Sequence, residues 1–543
     1  NSFPVELAPR DAQWITFSAG NGLEGHVFRD GSLRFSGPDN NPLTPGTYFV
    51  KSSNVSYKTK LIPASAKHFF FDAHEQALVA KHNFPISVGQ SNISGASNSN
   101  FDYGEYFGLN FRNGKIYTVT TDNSFDNTQT PIAVFNEVDK KGKHLSPQVD
   151  VVPPGYGDDT VIVPLLGETT VSVNPTNCLQ LAATIGSFHP ATITGTLIHI
   201  SNDGGASWND VDPFANIPGP YPTLPGFGQP VTAGDFQCTF DSFGNLFFTP
   251  LMEVVNLTDS SIESTIQYVL LSSDGGVTWT LFDSFAGVNP DTFALDYPII
   301  ATGPGKHGSA VTWLALKQDV SFDEVLGVGA SLPVMVASYK MDGLGVFASK
   351  NYQEIPGSSN GGYGSLSVGP DGSVLYTGTA VNNSLGGLPF GNNTIWYSFN
   401  KDGFDCQFSP IKLVANTNAE SFVFFSYYSP MQHRGTWSHP VALIDKKGRW
   451  YISYLDQPTT HAVQSNPNVY LIYSDDKGKH WSSPIRINND IQNLSFHLQP
   501  NLALDQSSND LAIAWLDTRE DELDTSTRVW SAVIKDGSLP PVK

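Results

Sequence analysis

The sequence predicts an all-β fold: a seven-bladed β-propeller, six or eight blades being the alternatives, with an N-terminal β-rich segment. Three observations carry this. The pattern Ser-x-Asp-x-Gly-x-x-Trp occurs as SNDGGASW from Ser201, SSDGGVTW from Ser272 and SDDKGKHW from Ser474. The starts lie 71 and 202 residues apart, the second gap being about three units of 67. A longer pattern, apolar strand, polar turn, apolar strand, returns once in each such unit. Finally, amphipathic helical periodicity is almost absent, and 49 Gly and 37 Pro punctuate short apolar runs.

Taken in order, residues 1–100 do not fit the period. HVFRDGSLRF from His26 reads as a hairpin, and HFFFDAHEQALVAK from His68 as two strands with no box after them. This region is expected to be a cap or a segment that closes the ring, with the propeller proper at 101–543. The seven units open at EYFGLNF from Glu105, ETTVSV from Glu168, DFQCTF from Asp235, DYPIIAT from Asp296, YGSLSV from Tyr363, HPVALI from His439 and QPNLAL from Gln499. The steps are 63, 67, 61, 67, 76 and 60 residues. Each box follows the third strand of its unit. Decayed boxes stand at the same place in NEVDKKGKHL from Asn136, SYKMDGLGVF from Ser338 and SFNKDGFDCQF from Ser398.

The box has a structural rationale. A tight turn between strands three and four needs an acceptor for its amides, a residue free to take positive φ, and a large side chain returning to the sheet. Ser201, Asp203, Gly205 and Trp208 supply these in the first box. Ser272, Asp274, Gly276 and Trp279, then Ser474, Asp476, Gly478 and Trp481, do so in the others.

These three boxes resemble the Asp-box, or bacterial neuraminidase repeat, of sialidase-like propellers, and strands such as DFQCTFDSFGNLFF look like theirs. The resemblance covers about residues 100–540. It implies the propeller fold. It says little of activity, since Asp-boxes occur in enzymes and non-enzymes alike. A sialidase would clamp a substrate carboxylate with three arginines and use a Tyr–Glu pair as nucleophile with an Asp as acid/base. The nine arginines here are Arg10, Arg29, Arg34, Arg112, Arg434, Arg449, Arg486, Arg519 and Arg528. None falls between Arg112 and Arg434, and the early Arg-Ile-Pro motif is missing, so the sequence does not present that triad.

Composition narrows the partners. A formal net charge of −21 with no basic run argues against nucleic acid and anionic membranes. No apolar run is long enough to span a bilayer. Cys178, Cys238 and Cys406 form no C-x-x-C pair, so no zinc site is indicated and at least one thiol is left over. The start at Asn1 and the sequons at Asn54, Asn92, Asn256, Asn382, Asn392 and Asn493 suit a secreted or surface-displayed protein.

Two places hold chemistry. The first side chains of the units should gather at the central channel, and four are carboxylates: Glu105, Glu168, Asp235 and Asp296. Such a ring could stay solvated, hold calcium, or act as acid and base on a glycosidic bond. No other cofactor is required. The long fifth step contains ESFVFFSYYSPMQHRGTWSH from Glu420. There Tyr427, Tyr428 and Trp437 could stack on sugar rings, while Glu420, His433, Arg434 and His439 could bind polar groups. Two functions follow. One is a propeller binding a glycan or protein surface, or self-assembling, without catalysis. The other is a glycoside hydrolase acting on exposed glycans.

Overall fold

The computed structural model describes residues 82–92, 106–124, 132–151, 166–187, 198–215, 231–255, 262–286, 294–320, 330–359, 361–380, 393–401, 403–419, 438–457, 467–490, 495–521 and 523–542, with Tyr103, Ile217 and Pro430, and the backbone of seven short strands before residue 78. Two units emerge. The first comprises Asn1–Leu78 with Asp490–Ser495, the second Val79–Asn489 with Phe496–Lys543.

In the first unit, Ser2–Val5 runs parallel to Thr47–Ser52, which pairs antiparallel with Ser56–Lys60. A second sheet joins Trp14–Ser18, Glu24–Phe28, Ser32–Ser36 and Phe69–Phe70. The hairpin expected near His26 is present as Glu24–Phe28 against Ser32–Ser36. Beyond Phe69–Phe70, the HFFFDAHEQALVAK segment lies outside the described residues.

The second unit is a seven-bladed propeller of four-stranded antiparallel sheets. The innermost strands of blades 1 to 7 are Gly108–Arg112, Leu166–Val173, Val231–Phe240, Ala294–Pro304, Gly361–Val368, Val441–Ile444 and His497–Leu504. Each packs against the next, and the seventh against the first. Blade 7 holds three strands from the C-terminal end of the chain. Its fourth is Asn83–Pro85, which pairs antiparallel with Trp530–Ala532. A strand from before the first blade thus completes the last and removes an open edge. Among the described residues there is no α-helix, and none long and apolar enough to cross a membrane.

The core lies between the blades. Each major apolar cluster takes one face from each of two neighbouring sheets. Phe247, Val269 and Leu271 of blade 3 meet Leu314, Leu316 and Tyr339 of blade 4. Phe84 and Ile86 on the closing strand meet Phe111, Ile116 and Val138 of blade 1. A sheet face that alternates apolar side chains cannot stay exposed, so each blade needs its neighbour. Polar side chains stitch the inner strands as well: Phe240 N donates to Ser172 Oγ at 3.1 Å, and Ile444 N to Ser367 Oγ at 3.0 Å.

The box turns share one geometry. Ser201 Oγ donates to Asp203 Oδ1 at 2.8 Å and accepts from Gly205 N at 2.8 Å. Asp203 then accepts from Ser207 N at 2.9 Å and Ser207 Oγ at 2.6 Å. Ser272–Asp274–Thr278 and Ser474–Asp476–His480 repeat these bonds. Gly205 has φ +93°, and a Cβ there would collide with the Phe135 ring of blade 1. Gly478, φ +78°, lies so near blade 5 that a Cβ would come within 2.6 Å of Tyr397 Oη. Trp208 and Trp481 join the same joints, 5.4 Å from the Phe135 ring and 5.6 Å from the Tyr397 ring. The box is therefore a blade-to-blade spacer.

Gly205→Ala should destabilise the propeller by about 1–3 kcal/mol, from strained φ plus overpacking. Adding Phe135→Leu should recover part of that loss in urea unfolding. Equal loss in the single and double variants would mean the joint is not what the glycine serves.

Candidate functional site at the channel mouth

The innermost strands begin at one mouth, and most begin irregularly. Pairing registers shift between Gly167 and Thr170, Thr232 and Phe236, Asp296 and Ile299, Gly361 and Gly364, and Leu498 and Asn501. At or beside these bulges, and just before blade 6, stand non-glycine residues in the left-handed region: Glu168 (φ 53°), Asp235 (61°), Tyr297 (50°), His439 (40°) and Gln499 (49°). A left-handed non-glycine costs roughly 1–3 kcal/mol, and its recurrence around one axis shows the ring fixing that conformation.

The mouth holds a hydrogen-bonded set drawn from blades 1 to 4 and the start of blade 5. Tyr106 Oη donates to Asp235 Oδ1 at 3.2 Å, and the Asp235 backbone N–H donates to Glu168 Oε2 at 3.0 Å. Asp296 lies near enough to Asp235 to bear on its ionisation. Tyr363 Oη donates to Asp296 Oδ2 at 2.7 Å. The Tyr106, Tyr297 and Tyr363 rings meet edge to face at 5.7 and 5.2 Å. Lys317, cross-strand from Asp296, places Nζ 3.7 Å from the centroid of the Tyr363 ring. Glu168 and Asp235 are only 3% and 9% exposed.

Burial and mutual repulsion govern these acids. Burial pushes Glu168 up to about 7, aided by the Asp296 charge and opposed by the Asp235 N–H. Burial, then the charges of Glu168 and Asp296, raise Asp235 well above the usual carboxylate range. Burial likewise raises Tyr106 and Tyr297, which stay phenols, and lowers His439 to about 3, so it stays neutral. Behind the mouth, a cavity of about 380 Å³ runs along the axis. Tyr106, Tyr297 and His439 form part of its wall, with Ser172, Gln237 and Asn501 deeper in.

The sequence-derived ring is displaced by one residue in blade 4. In blade 4 the left-handed position is Tyr297, not Asp296, although Asp296 still reaches Asp235 and Tyr363. In blade 1 the residue at the mouth is Tyr106, and Glu105 lies outside the described residues. A signal for the slip exists: proline follows Tyr297, His439 and Gln499 alike, which aligns those three. Lys317 lies on the second strand of its blade, where no pattern of strand starts would find it. Of the loop candidates, Glu420, Tyr427, Tyr428, His433, Arg434 and Trp437 lie outside the described residues, and only His439 is placed, buried at the mouth.

Among the described residues no arginine lines the axial cavity. Arg112 donates to Pro175 O, and Arg449 pairs with Asp475. Arg519 pairs with Asp517 and Arg528 with Glu520. Among the described residues, then, the three-arginine clamp is not assembled. Glu168, Asp235 and Asp296 also do not bring three ligand atoms within 4.8 Å of one another, so their geometry lends the calcium expectation no support.

No family model and no curated protein matches the chain. Solved structures do resemble it. An α-L-arabinofuranosidase of Fusarium graminearum complexed with arabinobiose aligns at 11% identity and a TM-score of 0.39, over 70% of this chain and 95% of its own. A leech intramolecular trans-sialidase aligns at 12% and 0.40, over 97% and 83%. A polysaccharide lyase aligns at 9% and 0.46, over 84% and 100%. At these values the likeness is one of fold.

The buried acids make a pH prediction. Folded Glu168 keeps its proton to about 7, whereas an unfolded Glu releases it near 4.5. The native state therefore binds more protons in that window, and stability falls as pH rises through it. Glu168→Gln removes this component while keeping an acceptor for Asp235 N–H. Its thermal midpoint, relative to the unmodified protein, should climb between pH 4.5 and 8. A difference independent of pH would show that Glu168 is not held protonated.

Proposed function

We propose that this propeller is directed at glycans, and that its axial mouth performs acid–base chemistry on a glycosidic bond. The observation that carries the reading is buried Asp235, bonded to Tyr106 and Glu168 with Asp296 close by, and a Glu168 that keeps its proton to about 7. A departing sugar oxygen needs a proton, and a carboxyl that stays protonated near neutral pH supplies it. In this reading Asp235 is the donor. Asp296, held by the Tyr363 hydroxyl, steadies the charge that remains. Glu168 is the group left to act as base once ionised. The partly exposed Tyr363 ring suits stacking on a pyranose, and Lys317 adds a cation to an otherwise acidic mouth.

A second reading is favoured by burial: Glu168 and Asp235 are only 3% and 9% exposed, which leaves them little access to a glycosidic oxygen. A binding propeller would need only the polarity of the mouth and the partly exposed Tyr363 ring.

A panel of glycosides assayed across pH 4–9 separates the two. The catalytic reading expects turnover, a fall in kcat/KM of about 10²-fold or more for Asp235→Asn, and activity that rises as Glu168 ionises near 7 and falls at higher pH as Asp235 loses its proton. The binding reading expects no turnover, with saturable glycan binding that Tyr363→Ala abolishes. Neither turnover nor binding would defeat both.

A further inference from the structure

On the face away from the mouth, the turn after the first strand of one blade meets the turn after the third strand of the next. These meetings are mostly closed by direct bonds. Asn245 of blade 3 donates to Gly343 O of blade 4 at 3.1 Å and accepts from Gly345 N at 2.7 Å. Lys477 of blade 6 reaches Asp371 of blade 5 at 3.0 Å, Lys447 of blade 6 reaches Asp536 of blade 7 at 2.6 Å, and Lys140 of blade 1 reaches Asp510 of blade 7 at 2.5 Å. Between blades 4 and 5 the corresponding turns, around Lys306 and Gly403, enclose a cavity of about 170 Å³.

We propose that this cavity is a binding site for a small oxyanion: a sulfate or phosphate, or the carboxylate of an acidic sugar. Its walls include Lys306, Lys340, Ser309 and Asp371. The chain as a whole has 30 Lys and Arg against 51 Asp and Glu, yet among the described wall residues the one carboxylate is that of Asp371. That carboxylate is already engaged by Lys477 at 3.0 Å and by Ser373 Oγ at 2.5 Å. Lys340 is rooted in a central strand, paired to Val311 on one side and Ser349 on the other. Its backbone is therefore fixed, and only its side chain need order on binding. Glycines shape the rest: a Cβ on Gly403 would come within 2.7 Å of Gly372 O, so the two turns close on each other only without one. The volume is that of several waters, enough for a small anion and part of its hydration shell.

The site is separate from the mouth and does not rest on the glycan reading. Isothermal titration with sodium sulfate, sodium phosphate and sodium glucuronate, each against sodium chloride at matched ionic strength, tests it. Saturable binding of at least one is expected, weakened at least tenfold in Lys340→Gln and also reduced in Lys306→Gln. Tighter sulfate or phosphate identifies an inorganic oxyanion, and tighter glucuronate a sugar-borne carboxylate. Glu168→Gln, altered only at the mouth, should bind as the unmodified protein does. Unligated thermal midpoints confirm that the lysine variants are folded. No saturable binding, or an unchanged affinity in folded Lys340→Gln, overturns the proposal.

Discussion

Everything in the propeller depends on sheet faces buried against neighbouring sheets around a closed ring. A four-stranded sheet with apolar side chains on both faces has no stable existence alone, and a row of them has two exposed ends. The backbone bonds between Asn83–Pro85 and Trp530–Ala532 join those ends. Phe84 and Ile86 then sit in the joint with blade 1 as the apolar share of the same closure. Once closed, the ring leaves each innermost strand little freedom to shift without moving its neighbours. That rigidity is what lets it hold five non-glycine residues in the left-handed region at its mouth.

The same rigidity sets the electrostatics. Glu168, Asp235 and Asp296 come from three blades, with about sixty residues of chain between successive members. Nothing local would gather them, and in water their charges would drive them apart. The ring imposes the proximity, and Glu168 and Asp235 respond by keeping their protons. The tyrosines extend that set rather than neutralise it, since Tyr106 and Tyr363 are neutral donors to carboxyl oxygens.

How much of this was legible in the sequence follows from the range of the interaction involved. The boxes are local: Ser201, Asp203, Gly205 and Ser207 make one another's bonds within seven residues, so the pattern survives as a string. The blade period is legible for the same reason, through the turn that follows each inner strand. Asp241, Asp445 and Asp505 mark it, each accepting amides of its own turn. The mouth is harder, because a bulge changes which of two adjacent residues faces the axis. Asp296 and Tyr297 differ by one position and exchange roles on that account. Lys317 reaches the mouth through cross-strand pairing, and the closing strand is three residues long with no pattern of its own. Neither leaves a periodic trace.

Aspartate itself separates architecture from chemistry here. In the boxes, Asp203 and Asp476 are open to water, and the donors around them hold them below the usual carboxylate range. The Ser207 hydroxyl leads for Asp203. For Asp476, at about 2, the His480 amide leads. Asp274 is exposed as well, and although some desolvation opposes its ionisation, the hydroxyl and amide of Thr278 prevail. Such carboxylates are charged acceptors at any ordinary pH: good for fixing a turn, useless for moving a proton. At the mouth Asp235 meets the reverse conditions, burial first and like charges second, and keeps its proton. The thrice-repeated motif is thus the scaffold's signature, while the mouth, where Glu168 keeps its proton to about 7, is built from residues that share no motif. For a ring of repeats this is the expected division, because a turn recurs wherever blades must be spaced, whereas the axis exists only once.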